Sequence, residues 1–107
     1  MSIKYIGILM YDFPMKTPRE RKEYRRFRKY IIKKGYYQMQ KSIYITGSAT
    51  KEKIMLMEKH LIKTVPKQSS IRTLLLTEEQ FKKMKILSGE MTLAEIIFRK
   101  RRRLLEF

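Results

Sequence analysis

The chain is 107 residues long, the length of one domain, and its 26 Lys and Arg against 10 Asp and Glu give a formal net charge of +16. With no cysteine it has neither disulfides nor thiolate metal sites; no apolar run approaches the ~20 residues that span a bilayer, and no secretory-signal pattern opens the chain, so a cytoplasmic location is expected. Self-repulsion on that scale points to a polyanionic partner, while 43% hydrophobic content with seven Tyr and five Phe argues for a folded domain over a basic disordered tail.

Ile3 to Tyr11 (IKYIGILMY) is a nearly unbroken apolar run closed by Asp12, Phe13 and Pro14, the pattern of a strand buried on both faces at the centre of a sheet. Thr17 as N-cap with Pro18 in the first turn starts a helix over Arg19 to Lys34, its inner face marked by Tyr24, Phe27 and Ile31 and its end by Gly35. Tyr36 to Thr46 reads as extended, either one bent strand or two joined tightly. Gly47 to Ala49 form a turn before a second helix, about Thr50 to Thr64, with Ile54, Met57, Leu61 and Val65 as its stripe and Pro66 as its limit. Ser70 to Leu76 is a further strand. Thr77-Glu78-Glu79-Gln80 has capping-box form and opens a short helix to about Met84, with Ile86 and Leu87 expected as a brief edge strand.

This order predicts an α+β fold, a ferredoxin-like βαββαβ plait over residues 1–90 with helices on one face of a mostly antiparallel sheet. The bare face needs a partner, most simply a second copy, so a homodimer is expected. Residues 91–107 form a separate basic, partly apolar tail: Thr92 with Glu95 has capping-box form, and Arg99 to Arg103 are consecutive basic residues.

Charge is most concentrated between Lys16 and Lys34, where ten basic residues face only Glu20 and Glu23, a local charge of +8. Lys22, Arg26, Lys29 and Lys33 share one helical stripe, and Arg21, Arg25 and Arg28 form its neighbour. Like charges at i,i+4 cost the isolated helix a few tenths of a kcal/mol per pair, a sign that a phosphate backbone reverses. Lys16, Arg19, Arg21, Lys22, Arg25, Arg26 and Lys29 are therefore the nucleic-acid-binding candidates. Nothing in their spacing indicates base readout. The alternative is a solvated basic face.

Asp12 stands where α/β folds tend to place function, at the C-terminal end of a buried strand. Hard cations such as Mg²⁺ are held by one or two carboxylates with water and phosphate oxygens, so one Asp per chain is insufficient, but two related by a dimer axis could share one Mg²⁺. The alternative for Asp12 is a turn former. His60, the single histidine, reads as a surface residue, and there is no Ser/His/Asp arrangement or phosphate-binding glycine loop.

Tyr11-Asp12, the Tyr24–Lys29 stretch YRRFRK, Gly35, Gln40-Lys41-Ser42-Ile43-Tyr44 and the LTEEQF turn at Leu76–Phe81 occur in order across residues 3 to 90. In these the chain resembles the CRISPR-associated endoribonuclease Cas-two family, in the branch found with single-effector (type II) systems. The resemblance implies a ferredoxin-like homodimer that bridges dimers of the Cas-one integrase along captured duplex DNA during spacer acquisition. It also implies a metal-dependent nuclease centre at Asp12. One departure is Gln38, where many relatives carry Arg, which weakens the transfer of those relatives' RNA-cleaving activity to this chain. Two functions follow: a structural DNA-binding subunit of spacer acquisition, or a Mg²⁺-dependent, toxin-like endoribonuclease acting without the integrase. A basic RNA-binding module of RRM topology is disfavoured because the RNP aromatic motif is absent.

Overall fold

The computed structural model describes residues 3–91; the expectations for the basic tail, including the helix start at Thr92 and the Arg99–Arg103 run, lie outside the described residues. The elements are β1 (Tyr5–Asp12), α1 (Pro18–Lys33), β2 (Tyr36–Gln40), β3 (Ile43–Thr46), α2 (Lys51–Ile62), β4 (Ser70–Thr77) and α3 (Glu78–Lys82).

Helix α1 starts where local chemistry satisfies its orphan donors. The Thr17 hydroxyl accepts from the Glu20 amide at 3.1 Å, the Glu20 carboxylate accepts from the Thr17 amide at 2.9 Å, and Pro18 occupies the first turn. It stops at Gly35, whose φ of 105° is open to glycine and strained for other residues. The next segment resolves into two strands. Their turn at Lys41 and Ser42 contains neither Gly nor Pro, and a register shift between Gln38 and Gln40 marks a bulge that takes up the irregularity.

The sheet order is β2-β3-β1-β4, with every neighbouring pair antiparallel. This βαββαβ order and sheet sequence is the ferredoxin-like plait. Central β1 serves two cores because successive side chains alternate between faces. Leu9 and Tyr11 join Phe27 and Ile31 of α1, Leu61 of α2, and Tyr36 and Tyr44 under the helical layer. Ile6 and Ile8 join Met39, Ile45 and Phe81 on the other side, with Met10, Ile43 and Leu76 packed around them. Each fully buried Ile or Leu contributes about 1.5–3 kcal/mol relative to exposure, so the second cluster stabilises a face that no long helix covers. Gly7 lies where α2 comes closest: a Cβ there would stand 2.9 Å from Ile54 Cγ2 and 3.2 Å from Thr46 Cγ2, and the Gly7 amide donates to the Thr46 hydroxyl at 2.9 Å.

Beneath the helices an aromatic cluster fixes the end of β1. Tyr11 sits 5.0 Å from Phe13 and 5.6 Å from Tyr44 between ring centroids, and Phe13 sits 4.9 Å from Phe27. The Tyr11 hydroxyl donates to the Lys41 carbonyl at 3.2 Å, so the Tyr24 hydroxyl, 2.6 Å away, is the donor of that second bond. Arg28 closes the arrangement from α1. Its Nε donates to the Tyr44 hydroxyl at 2.9 Å, and another guanidinium nitrogen donates to the Gln38 side-chain carbonyl at 3.2 Å. The β2–β3 turn is thus tied to both α1 and the end of β1, and the Tyr11 amide adds a bond to the Ser42 carbonyl at 3.1 Å. Tyr36 is the exception in this core. Its buried hydroxyl has no hydrogen-bond partner among the described residues, and burial, then the Glu58 carboxylate, push its pKa up to about 12.

The structure differs from the sequence-based expectation in one element and in some helix ends. Ile86 and Leu87 form no edge strand: the segment pairs with no described strand, although β2 and β4 each keep a free edge, and Leu87 is 93% exposed. Helix α2 ends at Ile62 because the Thr64 hydroxyl and amide both turn back to the Leu61 carbonyl, at 2.9 Å each, ahead of Pro66. Helix α3 ends at Lys82, two residues before Met84, whose amide closes a turn on the Phe81 carbonyl.

Gly7→Ala is expected to cost about 1–3 kcal/mol through overpacking against Ile54 and Thr46, read as a fall in Tm of roughly 4–8 °C per kcal/mol. A Tm unchanged from the parent would mean that α2 does not approach β1 this closely. Arg28→Ala is expected to cost about 1.5–3 kcal/mol by removing charge-assisted bonds to Tyr44 and Gln38. It should also speed amide exchange across Gln38–Tyr44 while leaving α2 protected. Uniform exchange in variant and parent would remove Arg28 from this role.

Candidate functional site

Phe27 and Ile31 face the core, so at 100° per residue the opposite side of α1 presents Lys22, Arg25, Arg26, Lys29 and Lys33, all exposed. None of these five forms an ion pair with a described residue. The ion pairs among the described residues are Arg19–Glu23 at 3.4 Å and Lys82–Glu79 at 3.8 Å. Four predicted binders, Lys22, Arg25, Arg26 and Lys29, therefore share one outward patch whose i,i+4 members lie about 6 Å apart along the axis.

The other three are placed differently. Lys16 precedes the helix, its amide donating to Glu20 at 3.0 Å. Arg19 is paired with Glu23, and Arg21 donates to the carbonyls of Met15 and Lys16, both at 3.1 Å, so its guanidinium braces the loop after β1. Arg28, which the helical periodicity groups with Arg21 and Arg25, is turned toward Tyr44 and Gln38 and is no part of the outward patch. A 410 Å³ cleft beside this loop is bordered by Pro14, Arg19, Lys67, Glu20 and Glu23. Its two carboxylates work against an anionic occupant.

Asp12 is the last residue of β1, exposed, and paired in register with Ser70 of β4. Alternation puts it on the side of Met10 and Ile8, away from Leu9 and Tyr11 and hence away from the helical layer. The basic patch of α1 and Asp12 thus lie on opposite sides of the sheet, a separation invisible without the strand register. On the Asp12 side the same register sets Arg72 opposite Met10, a residue that composition alone leaves unremarked in an apolar strand.

Among the described residues no group of three or more His, Asp or Glu gathers around one point, so Asp12 belongs to no such cluster. One protomer therefore offers a single-ligand fit, which a second protomer's Asp12 would double. The neighbouring Tyr11 is no proton acceptor. Burial, then its hydrogen bonds and proximity to Tyr24 and Tyr44, raise its pKa well above the ordinary tyrosine value, so it stays neutral. His60 is exposed on α2.

The model for the family described as CRISPR associated protein Cas2 matches residues 4–84. A protein of Ligilactobacillus salivarius (strain UCC118) named CRISPR-associated endoribonuclease Cas2 is 35% identical over 83 residues, covering 78% of this chain and 82% of its own. A protein of the same name from Streptococcus mutans serotype c (strain NN2025) is 39% identical over 83 residues, covering 78% of each chain. The crystal structure of Streptococcus pyogenes Cas2 at pH 6.5 superposes with a TM-score of 0.60 at 24% identity, over 78% of this chain and 99% of the other. A second structure, described as crystal structure of cas2, gives a TM-score of 0.58 at 19% identity, over 86% of this chain and 93% of the other. The plait and its strand order are therefore shared with solved Cas2 structures, and the family match spans β1 through α3: the chain belongs to the Cas2 family.

Proposed function

We propose that this protein binds duplex DNA along its phosphate backbone through the outer face of α1, and that it does so as a homodimer beside the integrase of CRISPR spacer acquisition, bridging integrase dimers in the cytoplasm. The observation that carries this reading is the patch of Lys22, Arg25, Arg26 and Lys29, exposed and without acid partners among the described residues. Four unpaired cations on one helical face cost stability in the free protein and gain it only when an anion is present. Their side chains reach phosphates as point charges or forks, with no fixed donor–acceptor pattern aimed at base edges. The contact is therefore set by backbone geometry, and sequence plays little part. Lys16 and Arg19 extend the same track toward the loop after β1.

A second reading is supported by the relatives' name, endoribonuclease, and by Asp12 at the end of β1. In it, Asp12 and the same residue of a second protomer hold one Mg²⁺ on the open side of the sheet. When bound, that cation would neutralise charge on the phosphoryl oxygens during phosphodiester hydrolysis. The protein's own part is to present two carboxylates on rigid strand ends, with Tyr11 neutral beneath them. Binding and cleavage would then use opposite sides of one molecule. RNA or DNA could serve as substrate on that side.

Replacing Arg25, Arg26 and Lys29 with Ala is expected to weaken duplex binding and to flatten the slope of log K against log salt by about 0.9 for each lost phosphate contact. Anisotropy titrations at several salt concentrations measure this, and a slope equal to the parent's would place the DNA elsewhere. Asp12→Ala is expected to abolish Mg²⁺-dependent cleavage of RNA or DNA while leaving duplex affinity unchanged, because Asp12 lies across the sheet from α1. Cleavage persisting at the parental rate would remove Asp12 from the chemistry. Spacer acquisition surviving the substitution would leave the DNA-binding role as the cellular one.

A further inference from the structure

The loop between α2 and β4 runs alongside α1. A cleft of 320 Å³ is bordered by Arg26 and Tyr30 of α1 and by Thr64 and Pro66 of the loop. The 410 Å³ cleft beside the β1–α1 loop is bordered by Arg19 and Glu23 of α1 and by Pro66, Lys67 and Gln68. As the loop advances from Thr64 to Gln68, the α1 residues across from it run back from Tyr30 to Arg19, so the two segments lie side by side and antiparallel. Bonds within the loop hold its shape. The Thr64 amide and hydroxyl donate to the Leu61 carbonyl at 2.9 Å each, and the Ser69 amide and hydroxyl donate to the Pro66 carbonyl at 3.2 and 2.6 Å. Lys67 and Gln68 are the central residues of that second turn and stand exposed at its tip.

Lys63, at the start of this loop, and Lys67 are both exposed, and neither forms an ion pair with a described residue. The acids around them are engaged elsewhere. Glu58 accepts from the Thr73 hydroxyl, Glu23 pairs with Arg19, and Glu20 accepts from the Lys16 and Thr17 amides. Lys63 has a structural reason to be basic, since it caps α2 and a cation at a helix C-terminus is favoured by the helix dipole. Lys67 lies beyond Pro66, where that effect has faded, so the fold itself gains nothing from its charge. The opposite flank of α1 is poorer in cations: Arg28 is turned in to Tyr44 and Gln38, and the β2–β3 turn offers Lys41. The helical layer lies across the sheet from the face that a second copy would cover, so pairing through that face would leave Lys63 and Lys67 in solvent.

We infer that Lys63 and Lys67 form a second row of phosphate contacts beside the α1 patch, so that a bound duplex extends from α1 toward the α2–β4 loop and not toward the β2–β3 turn. The inference rests on reading the outer face of α1 as the DNA surface, and it gives that surface a direction. The phosphates meet the rims of the two clefts, because the Glu20 and Glu23 carboxylates repel an anion from the space between. Both lysines are point charges on flexible stems, so this row adds affinity without base readout.

The test titrates the full chain into a fluorescein-labelled duplex of mixed sequence and follows anisotropy at several salt concentrations. Lys67→Ala is expected to flatten the slope of log K against log salt by about 0.9, and Lys63→Ala combined with it by about twice that. Lys67→Arg should restore the parental slope, since it returns the charge. Lys41→Ala removes the same charge from the opposite flank of α1 and should leave the slope unchanged. Because Lys63 caps α2, Tm is measured for each variant, and Lys67→Ala decides alone if the double variant melts earlier than the parent. A parental slope in Lys67→Ala overturns the inference. So does an equal loss in Lys41→Ala, which would reduce the effect to net charge. The two readings fail separately. Slope lost in the Arg25, Arg26 and Lys29 variant but kept in Lys67→Ala removes the second row alone. Slope kept in that α1 variant but lost in Lys67→Ala removes α1 as the DNA surface, and the two-row arrangement with it.

Discussion

Neighbouring residues on a strand point to opposite sides of the sheet, and in this protein that alternation along β1 decides what each side does. Tyr11 goes under the helices and Asp12 goes away from them. The first is sealed into an aromatic cluster with Phe13, Tyr24, Phe27 and Tyr44, and the second stays exposed at the strand's last position. A one-residue slip of β1 would exchange the two, burying a carboxylate among aromatic rings. The bonds from the Tyr11 hydroxyl to Lys41 and from its amide to Ser42 hold the register at the point where a slip would matter most.

The same division of labour runs through α1. Its inner face earns the helix a place in the core through Phe27 and Ile31, and its outer face carries like charges that oppose helix formation. The capping box at Thr17 and Glu20 offsets part of that opposition, each member of such a cap being worth roughly 1 kcal/mol. Glu20 is occupied by backbone amides and Glu23 by Arg19, so neither acid is left to neutralise the outer patch. Arg28 shows how finely position decides a basic residue's role. One step of 100° from Phe27 turns it toward Tyr44 and Gln38, where it becomes a strut of the fold, whereas Arg25 and Arg26 remain in solvent.

Much of this was legible in the chain itself because the signals are local. Thr17-Pro18, Gly35, Thr50 and the Thr77–Gln80 box mark helix ends through bonds made within four residues, and the apolar run ending at Tyr11 marks a central strand by composition. The place of the β2–β3 turn was not legible, since Lys41 and Ser42 include neither Gly nor Pro and the Lys41 carbonyl is held by the Tyr11 hydroxyl from 30 residues away. Ile86 and Leu87 misled because an apolar pair suits a strand by composition alone, while pairing with the free edge of β2 or β4 is a long-range matter that two residues do not announce. Asp12 was singled out by its place in the sequence, while its separation from the α1 patch and its adjacency to Ser70 and Arg72 depend on pairing between segments about 60 residues apart in the chain. Side-chain type announces a candidate site, and long-range register decides which candidates meet.

The open face brings the charge and the assembly into one problem. Leu74 is 51% exposed there, near Met10, Ile43 and the Phe81 cluster, and a second copy stacked on this side would cover it. In such a two-fold contact residue i of one copy meets residue j of the other, and the two Asp12 carboxylates would meet only where the axis passes beside them. Two carboxylates brought together favour a cation between them. In such a dimer both copies of α1 would point outward, away from the contact, so that pairing would double the basic surface without covering it. A duplex on the helical layers would then draw on cations of α1 that lie across the sheet from Asp12.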